Sequence, residues 1–563
     1  MEEIKEVIAE LILNQLKHTA LKKENILNVI EIPPSPELGD YAFPCFILAK
    51  EMKKSPVDIA TELAMEIKPG KAHKDISGIK AAGPYLNFFL DKKIMVESAV
   101  NKILKEKEKF GCCNEKGRIL IEHTSVNPNA SPHVGRARNS IIGDSIKRIL
   151  EFSGFETEVH YYVNDVSKQI AMMSLNCTGR EKFSELLKKY QEIADKVSKS
   201  PELEKKVFAV LNKFESGDKA TIAKIRRIVS IAIAGQKKIL LDFGIKFDRF
   251  DYESSYLKGS YEILKRLEKT GRLFTDDDGR KVLNQEGTGV ERGMKSPVLV
   301  LTRNDGTGLY PLRDLAYTID KLDKSEKNII VLGEDHKLYF QQVSAALKLL
   351  GYGSPQAVHY SFVLIQDAGK AKKMSTRKGD IVLLEDFMKE AEEKAEKEIK
   401  SRKTKGDAKK IGYGAVKYAL LKNSADKNII FNWQDALSFE GDTGPYLQYS
   451  YARASSILKK AKISESRIKS IKISSLESHE IELARKLNQF PAVIEGACRQ
   501  LNPSSIANYS FELAKLFNEF YHACPVIHSS KEVQNQRLAL VQSFRIVMKN
   551  ALWLLGMDAI EEM

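Results

Sequence analysis

Residues 117–136 read GRILIEHTSVNPNASPHVGR, and their reading decides the fold. The apolar run Ile119-Leu120-Ile121 predicts a strand over 117–125, and a loop through Pro132 leads into a helix predicted over 135–153. TEVHYYVND predicts a second strand over 157–165. Strand, helix and strand in this order open a doubly wound parallel sheet. The polar stretch between them lies at the carboxyl end of the first strand and the N-terminus of the first helix, where such sheets bind ligands. Backbone N–H groups and the helix dipole favour phosphate there. Gly135 allows close approach of a nucleotide, and His133 can donate a hydrogen bond to a phosphate oxygen. Alone, His-x-Gly reads more readily as a capping histidine in a tight turn.

Outward from this stretch, residues 166–240 turn charged and helical, as an insertion between the halves of the sheet. Strand patterns return at VLVLT (298–302), IIVLG (329–333) and HYSFVLI (359–365). Upstream, helical patterns over 2–22, 56–67 and 93–109 and the extended AAGPYLNFFLD make a small α+β unit that ends at GCCNEKG. The Lys- and Glu-rich stretch 385–410 reads as a solvated helix face, and from 411 onward three- and four-residue apolar spacing predicts a helical bundle. The expected fold is multidomain α/β, with domains at 1–112, 113–380, 381–440 (a linking region) and 441–563.

At 563 residues the chain exceeds what one core serves. No apolar run reaches 18 residues, so no membrane span is expected. The N-terminal helix is acidic from Glu2 and lacks the basic region of a signal peptide. Six cysteines without a CxxC give no support to a disulfide framework or a structural zinc, and suit a reducing cytoplasm. The net charge of +14 suits a polyanionic partner, or simply a basic protein kept soluble by its charge.

A second informative stretch, KAKKMSTRKG (370–379), surrounds Ser375 with cations between glycine-bearing segments. Such a loop can stabilise charge on a leaving pyrophosphate, or be only a solvated basic loop. Together, HVGR after the first strand and KMST after a late one resemble the paired signatures of class I aminoacyl-tRNA synthetases. SVNPNASPHVGRARNSIIGDS, YVNDVSKQI, LYPLRDLAY, VLGEDH and GDTGPYLQYSYARASSI resemble, in order, blocks of the arginyl-tRNA synthetases, and GDYAF and AGPYLNFFL their appended N-terminal domain. The resemblance spans nearly the whole chain.

What it implies follows residue by residue. Arginine's planar cation needs carboxylates on a rigid element. The resemblance gives the guanidinium to Tyr310 and Asp314, four residues apart on one helix face, and to Glu253 of a Glu-Ser motif. Leu312, Leu315, Ile319 and Leu322 are the expected buried stripe of that helix. The substrate's α-amino and carboxylate groups fall to Glu122, Ser125 and Asn127. His133 and Gly135 serve ATP, carried as its magnesium complex with no structural metal, together with Gly333, Asp335 and His336. Lys373 and Ser375 serve its phosphates, and Met374 also falls in the ATP site. Tyr85 and Asn87 touch the tRNA elbow, and Gln448, Tyr449 and Arg453 the anticodon region. In isolation Asp314 also reads as a surface salt bridge, Glu253 as a loop cap and the tyrosines as core.

Two positions depart from the family pattern. Arg136 stands where a histidine is usual, and Thr376 where a second lysine is common, with Ala130 at the position of a compensating lysine. The resemblance implies a cytoplasmic monomer acting on L-arginine, ATP and arginine tRNA. Rival readings are a glutamate or cysteine class I enzyme, against which stand Asp314 and Glu253 and the lack of zinc ligands, and a non-catalytic tRNA-binding paralogue, against which stand His133, Gly135 and Lys373.

Overall fold

Residues 1–110, 453–492 and 512–549 pack as one unit, and residues 111–452, 493–511 and 550–563 as a second. The computed structural model describes residues 2–16, 21–68, 74–294, 296–367, 370–373, 382–462, 468 and 470–563.

In the first unit, β1 (Tyr41–Pro44), β2 (Ile76–Ala82) and β3 (Tyr85–Leu90) form an antiparallel sheet in the order β1-β3-β2. Helices α1 (Glu2–Gln15), α2 (Pro56–Glu66) and α3 (Lys92–Glu106) accompany it. Asp91 caps α3 by accepting the N–H groups of Lys93 and Ile94. Buried Asp40 accepts hydrogen bonds from Leu90 N at 2.9 Å, Lys92 Nζ at 2.6 Å and Arg485 at 2.8 Å. That carboxylate ties the helix Ser478–Asn488 to the N-terminal sheet. Part of the C-terminal helical region therefore packs with residues 1–110, where the sequence suggested a bundle to itself.

The second unit is built on five parallel strands: β4 (Arg118–Glu122), β5 (Glu156–Val163), β6 (Arg249–Tyr252), β10 (Lys327–Gly333) and β11 (Gln356–Tyr360), in the order β11-β10-β4-β5-β6. Ile119, Leu120 and Ile121 are buried on both faces, as a parallel strand covered on two sides must be. Helix α4 (Val134–Ser153) follows β4, and α5 (Lys168–Asn176), α6 (Phe183–Ser198), α7 (Pro201–Glu215) and α8 (Lys219–Asp242) fill the predicted insertion. After β6 come α9 (Leu257–Glu268) and an antiparallel sheet of β7 (Leu273–Thr275), β8 (Lys281–Asn284) and β9 (Val298–Val300). Then α10 (Tyr310–Lys324) leads to β10, and α11 (Lys337–Leu349) to β11. A third sheet joins β12 (Val363–Asp367), β13 (Lys370–Lys373) and β14 (Ile429–Phe431), with α12 (Leu384–Arg402) and α13 (Ala408–Leu421) between the last two.

VLVLT forms a strand as expected, over Val298–Val300, but in the antiparallel sheet with β7 and β8 and not in the parallel one. Its apolar residues serve a satellite core, where Leu299 and Leu301 pack with Leu312, Leu315 and Ile319. The parallel sheet's edge strand is RFDY instead, half polar because an edge is only partly covered. HYSFVLI divides between β11 and β12 across Ser361, whose carbonyl is taken by Arg138.

Candidate active site

Thr124 has φ 62, a left-handed conformation rare for a β-branched residue, and it swings the chain off the end of β4. Its neighbours hold it there. Its N–H donates to Asn139 Oδ1 at 3.0 Å, and its hydroxyl to Ser140 Oγ at 2.7 Å. His123 packs where a side chain at Gly143 would overlap its ring, so β4 and α4 approach closely. The loop beyond is pinned from α8: Gln236 Nε2 donates to Asn127 O at 3.0 Å and Ala130 O at 2.8 Å, and its Oε1 accepts from Tyr161 OH at 2.8 Å. Nothing in the sequence singled out Gln236.

The loop borders a cavity of about 850 Å³ at the carboxyl ends of β4, β5 and β10. Glu122, Ser125, Asn127, His133, Arg136, Glu253, Tyr310, Asp314, Gly333 and His336 all line it, so these expected residues converge on one space. Four buried polar atoms on its wall find no hydrogen-bond partner among the described residues: Ser131 Oγ, His133 Nδ1, Asn164 Oδ1 and Glu253 Oε2. Each can take a hydrogen bond from water or from a polar ligand in the cavity.

The carboxylates differ in what already occupies them. Glu253 receives Arg313 Nε at 2.5 Å on one oxygen, and its other oxygen is unpartnered. Burial pushes its carboxyl up to about 7 against the pull of Arg313. Asp165 fixes the turn beneath it by accepting Ser254 N at 2.8 Å and Ser254 Oγ at 2.6 Å. Asp314 accepts Tyr339 OH at 2.7 Å and Thr318 Oγ1 at 3.4 Å, makes no ion pair among the described residues, and has its pKa raised by burial against the pull of Tyr339 and Lys321. The Tyr310 ring lies 4.8 Å from that of Tyr339 and is 50% exposed. Glu122 forms a buried ion pair with Lys321, whose ammonium also lies 4.1 Å from the Tyr317 ring.

Helix α10 is therefore buried on more than its leucine stripe. Arg313, Tyr317, Thr318 and Lys321 are each at most 4% exposed. The sequence reading missed Arg313 and Lys321. The signal was present in the cations at one and seven residues from Asp314, too many charges for a helix assigned a single polar face.

His133 is the N-cap of α4, and burial together with Arg136 lowers its pKa to about 4. It is thus a neutral hydrogen-bonding group at physiological pH. Gly135 is the second residue of α4, and the Arg136 guanidinium has no carboxylate partner among the described residues. Val134 N donates to Val382 O at 3.1 Å, and Leu384 N to Pro132 O at 2.8 Å, so the chain that follows the second signature is bonded to the first. Lys373 ends β13, paired with Leu364, while Met374, Ser375 and Thr376 lie outside the described residues. Asp335 is exposed, 3.9 Å from His336.

The expected tRNA contacts fare unevenly. In the first unit Tyr85 is half-buried beside Phe46, with ring centroids 6.0 Å apart. Asn87 is only 3% exposed, and its amide oxygen is unpartnered. Arg453 donates to Asn518 at 2.5 Å and lies over the Tyr521 ring. In the second unit Tyr449 packs against the cluster of Ile399, Ile411 and Phe439. Gln448 requires correction. It is fully buried and spends its amide on Lys410 O and Asp558 O, so it has no surface to offer RNA.

Comparison with known proteins agrees with this geometry. Residues 99–433 match the family model of the class I (R) tRNA synthetase catalytic domain, residues 447–563 the DALR anticodon binding domain, and residues 2–90 the arginyl tRNA synthetase N-terminal domain. The arginine–tRNA ligase of Methanosarcina mazei is 38% identical over all of both chains, and that of Methanocaldococcus jannaschii 36% identical over 97% of this chain and 98% of its own. The solved Thermus thermophilus arginyl-tRNA synthetase superposes over all of both chains with a TM-score of 0.81 at 28% identity. With all three domain families present in order and full-length relatives of one kind, the chain belongs to the arginyl-tRNA synthetases, class I aminoacyl-tRNA ligases.

Proposed function

We propose that this chain activates L-arginine with ATP, as its magnesium complex, and transfers it to the 3′-terminal ribose of arginine tRNA in the cytoplasm as a single chain. The observation that carries the reading is the acidic end of the cavity, where, among the described residues, Asp314 makes no ion pair and one oxygen of Glu253 has no partner. A planar cation with five donors fits between them, with the Tyr310 and Tyr339 rings alongside.

In the first step the arginine carboxylate attacks the α-phosphate and pyrophosphate leaves. In the second, the terminal hydroxyl of tRNA attacks the arginyl carbonyl and AMP leaves. Positioning and electrostatics supply most of the rate in such transfers. Ser125 and Asn127 orient the amino-acid end. Glu122, neutralised by Lys321, contributes a fixed ion pair at the base of the pocket. Neutral His133 donates to phosphate oxygen, and Arg136 meets phosphate charge at the N-terminus of α4. Lys373, Met374 and Ser375 complete the phosphate site in this reading.

The test is aminoacylation of total tRNA with a panel of amino acids. Only arginine should be charged, and only onto arginine tRNA. Charging with glutamate or cysteine, or none at all with pure folded protein, would discard the reading.

A further inference from the structure

Strand β5 runs between β4, which ends on Glu122, and β6, which leads into Glu253. Tyr162, its penultimate residue, lines the cavity between those two carboxylates. In register, His160 pairs with Glu122 and Tyr162 with Asp251, so these four side chains share one face of the sheet. Helix α10 covers that face: Lys321 reaches Glu122, and Tyr317 reaches both Tyr162 and Asp251.

The Tyr162 ring is stacked on buried Tyr317, with centroids 4.5 Å apart and planes at 21°. Tyr317 is held in turn, its hydroxyl donating to Asp251 Oδ2 at 3.3 Å, an oxygen that lies 2.5 Å from His160 Nδ1. Ser125 Oγ donates to the Tyr162 carbonyl at 3.2 Å, which ties the loop at the amino-acid end to the same residue. The hydroxyl of Tyr162 itself is spent on no hydrogen bond among the described residues. Burial, with the charges of Glu253, Asp314 and Glu122, holds its phenol well above the usual tyrosine range. It is therefore a neutral group that keeps an acceptor lone pair for an incoming N–H.

A bound arginine has a use for that lone pair. All but one of its guanidinium N–H donors sit on the terminal nitrogens, which suit Asp314 and the unpartnered oxygen of Glu253. The remaining donor is on the inner nitrogen, beside the methylenes and so toward the middle of the molecule. The rigid ring on the middle strand is the group placed to meet it. Resting on the function proposed above, we propose that Tyr162 is a specificity residue for arginine: its ring supports the methylenes, and its hydroxyl accepts the inner guanidinium N–H.

Tyr162→Phe keeps the stacked ring and removes only the oxygen. It should raise the KM for arginine about ten- to a hundred-fold, the worth of one hydrogen bond to a charged donor, with the KM for ATP and the unfolding temperature unchanged. The discriminating probe is the amidine analogue of arginine that has a methylene in place of the inner N–H, used as an inhibitor of arginine charging. The unaltered enzyme should bind it more weakly than arginine by a similar factor. Tyr162→Phe should bind the two alike, since the partner of the inner N–H is gone, whereas a general distortion of the pocket would weaken both and leave the gap. The inference is overturned if the gap persists in Tyr162→Phe, if the unaltered enzyme shows none, or if the penalty appears in the KM for ATP instead. Should the unaltered enzyme not charge arginine, the proposed function falls and this inference with it. Should it charge arginine while the gap persists in the variant, only the role of Tyr162 falls.

Discussion

Asp314 and Glu253 sit at the same end of one cavity but in different electrical states, and that difference is testable. Among the described residues Asp314 is held by the hydroxyls of Tyr339 and Thr318 and by no ion pair, so a bound guanidinium would add a direct cation. Asp314→Asn should therefore cost on the order of 2–4 kcal/mol in kcat/KM for arginine, the penalty of a buried charge left without its partner. Unchanged arginine kinetics would remove Asp314 from the pocket. Glu253 is raised by burial to about 7, so the ligand-free protein binds a proton there as pH falls. Arginine needs the ionised form, and its affinity should accordingly strengthen as pH rises through 7 and level off above it. Arginine KM measured from pH 6 to 8 checks the sign, and a flat profile would show that Glu253 does not titrate against substrate. At the phosphate end, Lys373→Ala should slow single-turnover adenylate formation by ~10²–10³ with little change in arginine affinity, and Arg136→Ala should do so more mildly. An undiminished rate for Lys373→Ala would move the role to a neighbouring cation.

The loop Ser125–Ser131 has no regular structure of its own, and its shape is lent by the elements around it. Gln236 supplies two donors to its carbonyls, and the Tyr161 hydroxyl oxygen accepts Val126 N–H at 3.2 Å. Gln236→Leu should deprive two carbonyls of their donor, that of Ala130 buried and that of Asn127 partly so. We expect a loss of about 1–3 kcal/mol in stability and a higher KM for arginine and ATP. Urea unfolding with parallel kinetics measures both, and wild-type values in each would show that the loop holds itself. The contrast between this contact and β4 explains what the sequence could show. Ile119-Leu120-Ile121 announces a covered parallel strand through composition alone, and the loop and α4 follow from Pro132, His133 and Gly135. Gln236 lies over a hundred residues from the carbonyls it serves, inside a helix of ordinary amphipathic pattern, and no local signal marks it. The edge strand RFDY was invisible for the opposite reason: half-covered strands need no apolar run. Of the candidate site, the residues on strand ends and helix starts were legible. The ion pairs Lys321–Glu122 and Arg313–Glu253, which set the charge of the pocket, were not, since each joins residues far apart in sequence.

For the molecule as a whole, the interleaving of the two units changes what a truncation can mean. The sequence suggests a detachable C-terminal bundle, yet residues 550–563 pack in the same unit as the nucleotide-loop helix α4. Ser145 Oγ of α4 donates to Leu554 O at 2.8 Å, and the Arg148 guanidinium lies 5.2 Å from the Trp553 ring. Lys417 of α13, 6% exposed, donates to Gly556 O at 2.6 Å, and burial lowers its pKa to about 8. Leu554, Leu555, Met557 and Ile560 are all buried here. Removing residues 550–563 should therefore strip these buried side chains from the core and expose the faces they cover. At ~1.5–3 kcal/mol for each side chain, the loss exceeds what a marginally stable unit withstands. The carbonyl partner of Lys417 is lost as well, which leaves a buried ammonium unsatisfied. We expect the shortened protein to unfold at a much lower temperature and to lose adenylate formation along with tRNA charging, although none of the expected arginine or ATP ligands has been removed. Thermal unfolding and pyrophosphate exchange on the same preparation decide the point. A shortened chain with the original unfolding temperature and intact exchange would show that residues 550–563 are a passenger on the catalytic unit rather than part of its core.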